Sequence, residues 1–223
     1  MKELLPRPTK NAQKVVDLVG VIASSVPIAS SLKELWSIKL KRDFERAQEI
    51  LIEQISSQGI EVLSDESLEF FVPASYKFFD QVRLGEYEHN LEILAGLITR
   101  NIGSSDSLSK KNILRYASAL SGLSSYEIDT LSLVSSTASE KKGNTSDTRN
   151  ISVGAGDLIA DREYSLEEKI KRDSALSMLA SRGLLRPTMS AVLGGGSMDY
   201  LLTDLAIEIV CQAKSKRPSS SER

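Results

Sequence analysis

Apolar positions recur at helical spacing along most of this chain and give way to short extended runs only near its end. Residues 10–25, "KNAQKVVDLVGVIASS", carry Val15, Val16, Leu18, Val19, Val21, Ile22 and Ala23, a stripe broad enough for a buried helix. Pro27 breaks it, since proline lacks the amide proton and clashes with the preceding turn. Ser31 and Glu34 then have capping-box spacing and predict a long helix from Ser31 to Ser57, stopped by Gly59. Its apolar face steps through Leu32, Trp36, Leu40, Phe44, Ala47, Leu51 and Ile55. A helix of this length is expected to pack on several others or on a copy of itself, with Trp36, Leu40, Phe44 and Leu51 as the candidate helix interface.

Four further helical segments follow. "SDESLEFFVPASYKFFDQVRLG" has Ser64 and Asp65 as caps and Pro73 inside the pattern, which predicts a kinked helix or two short ones before Gly85. "EYEHNLEILAGLITRNIG" places Leu91, Leu94, Ala95, Ile98 and Ile102 on one face, with Gly103 as its stop. "LSKKNILRYASALSG" turns Ile113, Leu114, Ala117 and Leu120 inward and stops at Gly122. Ser124 and Glu127 form a second capping-box signature ahead of "YEIDTLSLVSS".

The pattern then lapses. "STASEKKGNTSDTRNISVGAG" is small and polar and predicts a loop or linker. Ser165 and Glu168 repeat the capping box, and Leu166, Ile170, Leu176, Leu179 and Ala180 give a stripe that ends at Arg182 and Gly183. "LLRPTMSAVL" and "MDYLLT" alternate like strands, and "GGGS" between them allows a hairpin turn. Thr203 or Asp204 caps a closing helix through Ala213. Helix, hairpin, helix is the outline of a winged-helix end.

The predicted fold is therefore mainly α. A multi-helix body spans 1–136 and a polar linker 137–164. A small winged-helix-like unit spans 165–213, and a basic tail expected to be disordered spans 214–223.

Composition narrows the function. Twenty-eight basic and 30 acidic residues give a formal charge of -2, so there is no global attraction to phosphate backbones. One cysteine, Cys211, cannot make an internal disulfide, which fits a reducing cytoplasm. The opening "MKELLPRPTK" has prolines where a secretory segment needs an apolar run. The longest uncharged run, Leu18 to Leu32, is shorter than the roughly 20 residues a membrane helix requires.

Catalytic and metal chemistry find little support. With one histidine, His89, and one cysteine, the usual zinc ligand sets cannot be built. Cys211 lies in the apolar "AIEIVCQA" and is expected to be a buried, inert thiol. Glu86 and His89 have the spacing of a carboxylate-bridged iron motif, which needs a second histidine. They are expected at an ordinary helix start. Asp65, Glu66 and Glu69 also suit a helix start. "GAGD" at 154–157 lacks the context of a dinucleotide fingerprint and is expected to be flexible loop. No cofactor, catalytic or metal residue is assigned.

Two regions retain a functional reading. In winged units the helix before the wing often enters a major groove. Here Lys169, Lys171, Arg172, Arg182 and Arg186 are the candidate contacts for DNA or for a partner. Glu167, Glu168 and Asp173 oppose them, and "GGGSMD" has no base, so protein packing is favoured over DNA. The amino-terminal "VVDLVGVIASSVPIASSLKELW" reads as a core helical hairpin in preference to a membrane-surface segment, because its polar face is weakly basic.

The order of features resembles the abortive-infection alpha-type proteins, a bacterial group linked to phage defence. The resemblance rests on "SLEFFVPASYKFFDQVRLGEYEHNLEILAGLITRNI", "LRYASALSGLSSYEIDTLSLV", "LSMLASRGLL" and "YLLTDLAIEIV", within residues 30–212. These are hydrophobic-pattern motifs, and Ala206 stands where such endings commonly have glycine. The resemblance implies a cytoplasmic bacterial protein acting by binding, and it carries no catalytic residues over. The function expected is a non-enzymatic sensor or adaptor for a protein partner. A winged-helix DNA-binding regulator and a membrane-active growth-arrest effector are the alternatives.

Overall fold

The structure is a computed structural model that describes residues 10–26, 34–102, 113–141, 151–154, 156–158, 165–190 and 197–215. Among these the chain is mainly helical, with one small antiparallel sheet. In order it forms α1 (Lys10–Ser25), α2 (Glu34–Ser57), α3 (Asp65–Arg83), α4 (Glu88–Ile102), α5 (Ile113–Leu120), α6 (Ser125–Lys141), β1 (Val153–Gly154), α7 (Leu166–Ser181), β2 (Leu185–Ser190), β3 (Ser197–Leu202) and α8 (Asp204–Ser215). Two compact units divide it, Met1–Ala117 and Ser118–Arg223, and the division falls inside α5. That is earlier than the 136 expected from composition.

In the first unit, α2 packs on α1, α3 and α4, and α3 packs on α1 and α4. Leu40, Phe44, Ala47, Leu51 and Ile55 of α2 are all buried, with Phe44 stacked on Phe79 of α3 at 5.8 Å and 17°. The apolar face of the long helix is thus consumed within its own chain. Leu32, the expected start of this face, lies outside the described residues, as do Ser31 of the expected capping box and the side chain of Trp36. Val15, Val19, Ile22 and Ala23 of α1 are buried. Among the described residues no helix is long and apolar enough to cross a membrane.

Of the two alternatives for the proline-containing segment a single helix forms, and α4 differs from expectation. α3 is a single helix with Pro73 inside it. Pro73 is exposed, so water can solvate the Glu69 carbonyl that loses its helical donor. α4 is buried nearly all round rather than on one face. Its polar residues are accommodated locally: Thr99 Oγ1 donates to the Gly96 carbonyl at 3.1 Å, and Asn101 Nδ2 to the Leu97 carbonyl at 2.7 Å.

The second unit places α6 against α7, α8 and β1, and α7 against β2. The sheet order is β1-β3-β2, with Leu185 opposite Leu202, Pro187 opposite Tyr200 and Met189 opposite Met198. Val153 and Gly154 pair with Tyr200 and Asp199 on the other edge of β3. The stretch expected as a polar linker is therefore structured at both ends: α6 runs through Lys141, with Ala138 fully buried, and β1 joins the sheet. Between Gly154 and Asp157 the chain turns tightly, with the Asp157 amide donating to the Gly154 carbonyl at 3.1 Å. So "GAGD" is a sheet edge and turn. The hairpin tip, 191–196, lies outside the described residues.

The wing's base is tied by one side chain. Gly183 takes φ +72 and ends α7, with the Leu184 amide returning to the Leu179 carbonyl at 3.0 Å. Thr203 Oγ1 lies 3.0 Å from the carbonyls of both Gly183 and Leu184 as donor. The same oxygen accepts from the Ala206 amide at 3.3 Å and so caps α8. Of the two residues weighed for this cap, Thr203 serves. We predict that Thr203→Val lowers the unfolding free energy by about 1 kcal/mol, and that Thr203→Ser recovers most of it. Chemical denaturation of the two variants checks this.

Asp157 makes the edge strand pH-sensitive. Burial alone would push its carboxyl up, but donation from the Lys141 ammonium and from the Gly154 amide at 2.6 Å outweighs burial and holds it below the usual aspartate range. A lowered native pKa adds stability above the unfolded value, and that stability is lost as pH falls through the native one. Amide exchange at Val153 and Gly154 is expected to quicken below about pH 4 in the wild type. In Asp157→Asn, protection at these amides is expected to be low throughout and insensitive to pH.

Candidate functional site

The candidate site grows from α7 and the hairpin that follows it. The helix starts as its sequence predicts: the Glu168 amide donates to Ser165 Oγ at 3.2 Å, and the Ser165 amide to Glu168 Oε2 at 2.9 Å. Those hydrogen bonds from Ser165 hold the Glu168 carboxyl below its ordinary range. Glu168 is thus occupied as a cap.

Leu176 and Leu179 are fully buried and Ala175 nearly so, each leucine contributing about 2 kcal/mol by leaving water. Leu166 and Ile170, expected in the same inward stripe, are instead 74% and 60% exposed. The reason is angular. At 100° per residue, Leu166 and Ile170 stand on the side of the helix away from Leu176 and Leu179. A similar phase error affects Leu114 of α5, which is exposed while Tyr116 is buried. It also affects Cys211 of α8, which is exposed while Val210 and Gln212 are buried, so the expected inert buried thiol is a surface one.

Leu166 and Ile170 share their side of α7 with Asp173 and Ser177. Those two residues lie beside Tyr200 of β3: burial raises the Tyr200 hydroxyl pKa, the Asp173 charge adds to this, and a hydrogen bond with Ser177 opposes it. Tyr200 shares a sheet face with Met198 on its own strand and with Pro187 and Met189 opposite. Burial along this face falls from base to tip. Leu185 and Leu202 are buried, Met198 is 49% exposed and Met189 86%. Because α7 turns sharply into β2 at Gly183, the starting half of the helix and the far half of the wing extend the same way. Leu166 and Ile170 on α7, and Met189 and Met198 on the wing, are all exposed.

The five basic candidates do not converge into one patch. Lys171 is paired with Glu167 at 3.0 Å. Arg172 is half-buried, with Nε and Nη1 shielded from solvent. Arg182 Nη1 donates to the Ser118 carbonyl at 3.2 Å, near the negative end of α5. Lys169 and Arg186 are exposed and make no ion pair among the described residues. Two exposed cations without an ion pair are a small footing for phosphate contacts.

Elsewhere, Glu86 accepts from the Tyr87 amide at 3.0 Å and from Asn90 Nδ2 at 2.8 Å, and His89 stacks on Tyr87. This is local bracing of the α4 start. Asp65 and Glu66 occupy the first turn of α3 behind the Ser64 cap, whose hydroxyl accepts from the Ser67 amide at 3.2 Å. Among the described residues there is no group of three or more histidine, cysteine, aspartate or glutamate side chains able to hold a metal ion.

Compared with protein-family models, curated proteins and solved structures, the chain matches none of them.

The division of labour among the basic residues is measurable by thermal and denaturant unfolding. Arg182→Ala is expected to destabilise the protein by about 1 kcal/mol through the freed Ser118 carbonyl. Lys169→Ala is expected to leave stability within about 0.5 kcal/mol of the wild type, as for other surface positions.

Proposed function

We propose that this chain is a non-enzymatic adaptor that recognises a protein partner through its winged unit. The observation that carries the reading is the exposure of four large apolar side chains, Leu166 and Ile170 on α7 and Met189 and Met198 on the wing. Methionines are adaptable at binding surfaces, since an unbranched thioether repacks easily against a partner. The basic residues favour protein over DNA, because Lys171 is paired within α7 and Arg182 serves the end of α5. The resemblance to abortive-infection alpha-type proteins extends the proposal to a cytoplasmic bacterial role in phage defence.

The competing DNA-regulator reading rests on Lys169 and Arg186. Fluorescence anisotropy of a random duplex separates the two. No binding at low salt is the expected result. Salt-sensitive binding that is lost in Lys169→Glu with Arg186→Glu overturns the proposal in favour of the regulator. The positive arm uses Leu166→Asp with Ile170→Asp. These variants are expected to keep the wild-type melting temperature, since both side chains are already exposed, and to abolish recovery of a partner that the wild type retains.

A further inference from the structure

We propose that the first unit carries a binding site for a small zwitterion, of the α-amino acid class, in the cleft between α2 and the corner joining α3 to α4. The cleft encloses about 270 Å³, the scale of one small metabolite. Its floor is aliphatic, made by Ile50, Val82 and Leu91, each at most 5% exposed. A floor this closed admits only a short side chain.

One wall is already satisfied. Arg46 Nε donates to Glu88 Oε1 at 2.8 Å, and its Nη1 to Glu49 Oε2 at 3.1 Å. The hydrogen bonds to Glu88 and Glu49 raise the Arg46 pKa, so this wall stays charged and fixed. Tyr87 edges the mouth, 53% exposed, its ring steadied by stacking on His89 at 5.5 Å.

The rim on α2 is different. Lys39 and Asp43 lie one turn apart and both line the cleft, yet neither makes an ion pair among the described residues. A lysine four residues before an acid is the weaker order for a helical pair. The mouth therefore presents one cation and one carboxylate, separated and uncommitted. An anion entering here meets Asp43, Glu86 and Glu88, and a cation meets Lys39 and Arg46. A zwitterion matches both signs, its carboxylate at the Lys39 ammonium and its ammonium at the Asp43 carboxylate. The site lies wholly within the first unit, so it stands or falls apart from partner docking by the wing.

Calorimetric titration of the full chain tests it with three probes of similar shape: L-alanine, the cation L-alaninamide and the anion L-lactate. L-alanine is expected to bind at least about tenfold more tightly than either singly charged form, the effect of one charge-assisted contact. Lys39→Gln and Asp43→Asn are each expected to remove that preference while keeping the wild-type helical circular dichroism, since Lys39 is exposed and Asp43 only half-buried. No heat at about 50 mM L-alanine, equal affinity for all three probes, or an unchanged preference in both variants overturns the proposal.

Discussion

One hydroxyl decides whether the second unit has a wing in the right place. Thr203 reaches back to the turn that ends α7 and at the same time opens α8, so helix, hairpin and closing helix meet at a single oxygen. A turn this tight leaves β2 no freedom of direction. The sheet face bearing Leu185, Pro187 and Met189 must then lie on the side of α7 that carries Asp173 and Ser177.

The first unit depends on a different constraint. α4 is enclosed on nearly every side, which is stable only if its polar groups find partners inside the core. Asn101 and Thr99 do so within one turn of their own helix, at no cost to the packing of α2 and α3 around them. Aromatic packing completes the arrangement, Phe78 meeting Phe79 edge-on at 5.2 Å. The charged corner above this core can then carry ion pairs and an open cleft without being needed for stability.

Much of the architecture was legible in the sequence because capping chemistry is local. The boxes at Ser124–Glu127 and Ser165–Glu168 and the cap at Ser64 all form. The stops at Gly59, Gly85, Gly122 and Gly183 all take positive φ. Legibility ended where the answer depended on a distant neighbour. A hydrophobic period shows that a stripe exists and not which side of the helix its neighbour covers. This is why Leu166 and Ile170 were read as core. β1 is two residues long, below what alternation can reveal, and its place is set by Tyr200 and Asp199 far along the chain. The candidate surface and the cleft are likewise assembled from segments that no single window contains. Lys39 and Asp43 attract notice only once the α3–α4 corner is brought opposite them.

The wing also has an outer side. β2 is an edge strand, and an edge strand offers its backbone to any chain that can pair with it. Pro187 sits in the middle of this one, exposed and without an amide proton to donate. Arg186 beside it adds an exposed charge that an incoming strand would have to desolvate. A protein that displays methionine and isoleucine close to a sheet edge runs the hazard of growing into filaments. Pro187 removes a hydrogen bond that an incoming strand would need, so the backbone of this edge is a poor template for further pairing.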